Sequence, residues 1–458
     1  MPTRFPLLFL APALLAPPLA AQATPLEAQA KPLEVQTKPL ETSAEPLTLE
    51  AALRKAWTGQ AGLQAGEAMV AKARAEAQAH HDLRLPTLTA QAGLQRTDEP
   101  MMAFGMKLNQ ARIGQMDFLP DRLNHPEAMT GGGASLTLSQ PLYAGGRISA
   151  ARKAGEAMAA SEAAAQAHRR QQVAYAVVRA YFGAQAAEQG LRWAEDTLRQ
   201  AQETERFVTA RVDQGLMLAS EAARTRAFRA QAEAGVAEAR QRLASARSGL
   251  SLLLGGEALP ETLATPLEAA SAPLPEAQGT RGDLEALRRQ TEAARAGAQA
   301  AQGALKPEVG LTAGLGTARY TWTEGGNWSQ IGLGAKWTFS FSDLRKASAA
   351  KAAARAAELG LRWQEQQAGR EVDEARRAVA TADARLAAAR EAVAASESVR
   401  SLRTARHREG LLPLVEVLDA ESGLSGARAL LLASLFESRL SRAALALALG
   451  QPIEGVKE

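Results

Sequence analysis

Apolar and small residues recur along much of this chain at steps of seven: Val177, Ala184, Leu191 and Leu198 form one row, and Val372, Val379, Leu386 and Val393 another. Seven residues make nearly two helical turns, so the spacing keeps one seam of a long helix facing a neighbour in a supercoil. The second row follows the first by a constant offset (372 − 177 = 195). The same offset carries TARVDQGLMLASE, from Thr209, onto TARHREGLLPLVE, from Thr404. It also carries Glu221 onto Glu416 and Leu254-Gly255 onto Leu449-Gly450. The pattern predicts two tandem copies of one helical unit.

Ala-rich sequence runs from Thr48, a residue suited to cap a helix, to about Leu83, and again from Asp283 to Leu305. Pro86 and Pro307 stop these segments. The longest helices are expected over Arg147–Val212 and Arg345–Arg408. At 1.5 Å per residue each would span roughly 95 Å. Each ends in a Gly-Leu turn and is followed by a further helix closing at Gly255 or Gly450, where glycine takes the left-handed cap conformation. The units therefore read as helical hairpins with tips at Gly215 and Gly410. Alanine favours helix and allows close helix approach, which suits an array of helices better than a thick globular core.

Four stretches switch to period-two alternation, the signature of a strand. PEVGLTAGLGT places Val309, Leu311, Ala313 and Leu315 on one face, and IGLGAKWTFSF does the same with Ile331, Leu333, Ala335, Trp337, Phe339 and Phe341. LPTLTAQAGLQ offers Leu88, Ala90, Ala92 and Leu94, and ASLTLSQPLY is the weaker fourth. Each has about the nine to eleven residues of a tilted membrane strand, with an apolar side for lipid and a polar or glycine side for a wet lumen. Aromatic residues are only 4% of the chain, yet Tyr320, Trp322, Trp328, Trp337, Phe339 and Phe341 gather here, as an interfacial girdle requires. Four strands leave two open edges, which lipid does not tolerate. The barrel must close by association.

Composition removes other readings. The absence of cysteine excludes a disulfide scaffold, a thiolate metal site, a catalytic cysteine and a lipid-bearing cysteine. The formal charge of +4 is small, and Lys and Arg are interspersed with Asp and Glu, so nucleic-acid binding is not expected. His80, His81, His125, His168 and His407 lack metal-ligand spacing, and no nucleophile elbow, phosphate loop or metalloprotease motif occurs. Neither an enzyme nor a cofactor is expected. Residues 1–23 read as a secretory signal cleaved near Ala21 or Ala23, and residues 24–47 as an extended or disordered leader with Pro25, Pro32, Pro39 and Pro46 in register. The expected organisation continues with a first repeat over 48–255, a linker over 256–280, a second repeat over 281–450 and a tail over 451–458.

This layout, one signal followed by two copies of helix, strand, loop, strand and long hairpin, resembles the TolC-type outer-membrane efflux channels from residue 48 to 450. LSQPLYAGGRISAARKA (Leu138–Ala154) is similar to the family's strand-to-helix junction, and WTFSFSDLRKASAAKA (Trp337–Ala352) is its weaker partner. AFGMKLNQARI and DFLPDRLNHP (within Ala103–Pro126) resemble an external loop, and GLLPLVEVLDA (Gly410–Ala420) a hairpin tip. The resemblance implies a mixed α/β membrane protein: a homotrimer with a twelve-stranded outer-membrane barrel continued by a periplasmic helical barrel. Its implied role is a passive exit duct for efflux or type I secretion, working with a periplasmic adaptor and an inner-membrane pump of the RND or ABC type. It further implies adaptor docking at Gln214, Gly215, Leu216, Glu409, Gly410 and Leu411. Glu416 and Asp419 are implied as acidic rings at the periplasmic entrance and Glu221 as a gate acid. Leu412 replaces a basic residue of the family's clasp, so Arg406 or Arg408 is expected to latch the gate instead. Leu311, Ala313, Leu315, Ile331, Leu333, Trp337 and Phe339 are the expected lipid-facing strand residues. Two other classes compete: a periplasmic adaptor, which ordinarily carries one hairpin per chain, and a structural coiled-coil protein of the envelope.

Overall fold

A computed structural model describes residues 46–268, 279–321 and 323–453. The expected signal peptide, the leader up to residue 45, residues 269–278 of the linker, Trp322 and residues 454–458 of the tail lie outside the described residues.

The described residues begin with α1 (Leu49–Gly59) and α2 (Ala61–Asp82), then β1 (Thr87–Thr97), α3 (Pro100–Asn109), α4 (Pro120–Asn124) and β2 (Met129–Ala144). The first hairpin is α5 (Arg147–Asp213) with α6 (Ala219–Leu253). The second copy runs α7 (Gly282–Gly303), β3 (Glu308–Arg319), β4 (Gly325–Lys336), α8 (Phe341–Arg408) and α9 (Leu414–Leu449). α5 has 67 residues and α8 has 68, so each is about 100 Å long at 1.5 Å per residue. Val177, Ala184, Val372 and Val379 are all buried, and they lie on the seams that the seven-residue spacing predicts. The principal core forms where α1, α5, α6 and α9 meet, around Leu53, Tyr181, Phe182, Leu250 and Leu435. There the Tyr181 hydroxyl donates to Leu47 O at 2.7 Å and accepts from Thr265 N at 2.9 Å, tying the segments that precede α1 and follow α6 to one buried side chain.

The Ala-rich segment from Thr48 to about Leu83 forms two helices. Thr48 caps the first, its hydroxyl accepting from Ala51 N at 3.1 Å, but the helix ends at Gly59, where an added Cβ would stand 2.9 Å from Leu254 O. The second long helix begins at Phe341, four residues before Arg345, with Ser340 as its cap accepting from Ser342 N. The strand expected to continue through Phe341 ends at Lys336, so Trp337 and Phe339 lie outside it. Their alternation has no partner to pair with, because Lys336 stands opposite Glu308, the first residue of β3, and the preceding Pro307 has no N–H to extend the ladder. Trp337 instead meets Phe339 at a tilt at 6.4 Å and Phe339 meets Phe341 edge-on at 5.3 Å, with Trp337 Nε1 donating to Leu305 O.

The four strands form one antiparallel sheet in the order β1-β2-β3-β4. Its register joins the alternating patterns of separate strands into continuous faces. Leu88 pairs with Leu138, which pairs with Ala313, which pairs with Ile331. Ala90, Leu136 and Leu315 form a parallel row. The opposite face carries Thr89, Thr137, Gly314 and Gln330 in one row and Gln91, Ser135, Gly316 and Trp328 in another. Trp328 is thus on the polar face, its ring lying over Gly316, where an added Cβ would come within 2.5 Å. It is not part of an apolar girdle.

Candidate functional site

The apolar face of the sheet is uncovered in the protomer. Leu88, Leu94, Leu315, Ile331 and Leu333 are exposed, Ile331 by 79%. Leu311, Ala313 and Leu315 share this face with Ile331 and Leu333, as their spacing predicts. The outer edges of β1 and β4 have no strand partner among the described residues.

Both hairpin tips are built identically. Gly215 N donates to Val212 O at 2.9 Å and Leu216 N to Arg211 O at 2.9 Å. At the second tip Gly410 N donates to His407 O and Leu411 N to Arg406 O, each at 2.9 Å. This pair of bonds satisfies the last carbonyls of a helix and requires left-handed backbone at the glycine. Gly215 has φ +72° and Gly410 φ +78°. Gln214 and Glu409, immediately before them, hold ordinary right-handed conformations, while Leu216 and Leu411 project into solvent. The tips are held to each other by Val208 of α5 packed on Leu414 and Leu418 of α9, with Phe207 edge-on to His407 at 6.0 Å. The sequence showed His407 only as a histidine without metal-ligand spacing; it replaces Val212 in the second copy of the repeat.

Glu416 and Glu221 occupy the same place in the two copies, the first turn of α9 and of α6, where the helix dipole favours negative charge. Glu416 binds Arg403 of α8 at 2.8 Å, and Arg403 also donates to Glu416 O at 3.2 Å. The cation paired with this acid is therefore Arg403. Among the described residues neither Arg406 nor Arg408 forms an ion pair. Glu221 lies 4.0 Å from Arg224 on its own helix, with one carboxylate oxygen buried and unpartnered. Asp419, one turn beyond Glu416, is exposed.

A second charged group lies farther from the tips. Arg428 of α9 binds Asp196 of α5 at 3.1 Å and Glu397 of α8 at 3.5 Å, and sits over the Trp193 ring at 5.7 Å. Nearby, Glu421 is buried, 3.7 Å from Arg400. Burial pushes the Glu421 carboxyl above the usual carboxylate range against the opposing charges of Arg400 and Arg428. Burial acts on Asp196 in the same direction, but hydrogen bonds from Arg428 and Arg199 outweigh it and hold Asp196 below its ordinary value. Sequence reasoning missed this cluster because its members lie on three helices, Asp196 and Arg428 being 232 residues apart. Among the described residues no three potential metal ligands come together, and no helix is long and apolar enough to cross a membrane.

The sequence profile of the outer membrane efflux protein family matches residues 20–256 and 274–451. No curated protein matches the chain in sequence. Solved structures share the fold. CusC, from a study of folding and transmembrane channel formation, is 21% identical, with a TM-score of 0.76 and coverage of 88% of this chain and 92% of CusC. The outer membrane protein VceC of Vibrio cholerae is 20% identical (TM-score 0.76, covering 89% of this chain and 97% of VceC). The CmeC outer membrane channel of Campylobacter jejuni is 15% identical (TM-score 0.77, covering 90% of this chain and 87% of CmeC).

Proposed function

The chain belongs to the outer membrane efflux protein family, and from that premise we propose that it is the passive exit duct of a tripartite efflux or type I secretion system. It is an outer-membrane channel protein of the TolC type, reaching into the periplasm. The observation that carries the proposal is the sheet: one continuous, uncovered apolar face and two unpaired edges, joined to helical hairpins about 100 Å long. Lipid satisfies the face but not the edges, so the edge of β1 pairs with the edge of β4 in a neighbouring copy. Three protomers of four strands give twelve, within the range of outer-membrane barrels. Leu311, Ala313, Leu315, Ile331 and Leu333 then face lipid, and the threonine, glutamine and glycine face lines a wet lumen. Trp337 and Phe339, just beyond β4, sit at the periplasmic boundary as exposed interfacial aromatics. A coiled-coil rod or a soluble adaptor gives no reason for such a sheet.

The hairpins continue the passage, and their tips, at Gln214, Gly215, Leu216, Glu409, Gly410 and Leu411, dock a periplasmic adaptor linked to an RND or ABC-type pump. Exposed Leu216 and Leu411 suit such a contact because each is presented by a rigid turn. Glu416, Asp419 and Glu221 form the acidic entrance. The duct itself performs no chemistry. Photo-crosslinking from Leu216 and Leu411 in cells tests the docking: an adduct with a periplasmic adaptor is expected, and its absence at both positions contradicts the assignment.

A further inference from the structure

At the end of the sheet farthest from the long helices, the chain from β1 to β2 does not extend outward. It folds back over the polar face. Gly131 of β2 pairs with Gln95 and points to that face, and an added Cβ there would run into Met106 Sδ at 2.5 Å and into Gln110 Nε2. Gly326 of β4 pairs with Ala318 on the same face, and its missing side chain is what admits the Asn109 carbonyl. The carboxyl-terminal half of α3 is therefore seated across the sheet, against β2 on one side and β4 on the other, on glycines that leave it room.

The seat is fastened. Gln110, 2% exposed, donates through Nε2 to Arg319 O at 3.2 Å. Lys107 binds Asp117 at 2.7 Å, the Arg112 guanidinium lies 4.0 Å from the Tyr320 ring centre, and Phe104 meets Phe118 edge-on at 5.8 Å. Ala111, which ends the α3 turn, has φ +57°, a left-handed conformation that a non-glycine residue keeps only where its surroundings hold it. With Met106 and Gln110 against the sheet and Ala103 buried on the same side of the helix, the opposite side of α3 presents Met101 and Leu108, seven residues apart and 78% and 58% exposed. Met116 and Phe118, in the segment that follows, are exposed as well.

We propose that α3 and the segment through α4 form an inward-folded constriction at the outer mouth of the barrel, with Met101 and Leu108 turned toward its axis. The inference rests on the trimeric barrel described above, in which the polar face is the lumen. Three copies bring three apolar surfaces into a water-filled passage. An apolar ring in a pore resists wetting and opposes hydrated ions, whereas cargo with apolar surface gains by displacing its water. The outer mouth thereby becomes a second filter, separate from the acids at the hairpin tips.

The chain has no cysteine, so single cysteines report without background. Leu108→Cys protein in outer membranes would be treated with a bis-maleimide whose spacer is too short to bridge an open barrel, then run on a denaturing gel. Covalent dimers are expected, with none from Leu333→Cys on the apolar face. Gly131→Leu, which evicts Met106 from its seat, should lower the dimer yield from Leu108→Cys severalfold while trimers persist. Labelling by a monofunctional maleimide confirms that Leu108→Cys is reachable. Trimers that label but give no dimers overturn the constriction alone. Failure to form trimers overturns the assembly and the constriction with it.

Discussion

Glu416 and Asp419 stand one turn apart on α9, yet their surroundings differ: Arg403 holds Glu416 at 2.8 Å, while Asp419 is exposed. If both acids border the entrance, Glu416→Ala combined with Asp419→Ala should reduce cation preference and block by divalent cations in planar bilayers, with trimers intact. Arg403→Ala should do the reverse, because it uncovers the Glu416 carboxylate. Reversal potentials that are the same in the parent and both variants would make these acids simple helix-terminus residues. Glu421 makes a separate prediction. Its carboxyl is raised by burial despite Arg400 and Arg428, with Asp196 adding a like charge. Between its unfolded and folded pKa values the native state binds the extra proton, so this residue's contribution to stability falls as pH rises through that window. Asp196, held low, acts oppositely and loses stability as pH falls through its folded value. In thermal unfolding followed against pH, Glu421→Gln should remove the first dependence and keep the second. A profile identical to that of the parent contradicts the assignment.

For the elements, the tips and the strands give the clearest tests. Gly410→Val forces a β-branched residue into left-handed backbone at a cost of roughly 1–2 kcal/mol. The strain is confined to a turn far from the sheet, so we predict trimers at normal levels with export lost; normal export would remove the tip from docking. On the sheet, Leu333→Arg should block insertion, since a cation on the lipid side near mid-bilayer costs about 2–4 kcal/mol. Gln330→Arg, on the polar face of the same strand, should insert normally. Equal insertion of both would mean that the apolar face does not meet lipid. The two tips and the long helices were legible because glycine at a helix end and a seven-residue seam are local demands. The end of β4 was not. Alternation continues through Trp337 and Phe339, but pairing stops at Lys336 because β3 begins only after Pro307, and a strand's own sequence does not record where its partner starts. The Arg403–Glu416 and Arg428–Asp196 pairs were hidden for a related reason: helix faces are readable from periodicity, while which charges meet depends on how separate helices pack.

Across the whole molecule, the offset of the repeat becomes a near-duplication in space. α5 and α8 differ by one residue in length, α6 and α9 likewise, and each copy supplies two neighbouring strands to one sheet. The need for partners was already implied by four amphipathic strands, since no single chain with so few can close a barrel around a lumen. The inward seat of α3 was not, because glycines at Gly131 and Gly326 read as ordinary strand residues until the register brings them beneath the same helix. The central claim is that the sheet becomes a membrane channel only by closing with two further copies. Its most direct test is the mass of the protein extracted from outer membranes in mild detergent, compared on gels with and without boiling. A trimer that resists SDS until heated and then runs as a single protomer is expected. A folded monomer, retaining its strands in detergent with the edges of β1 and β4 unpaired, would contradict it.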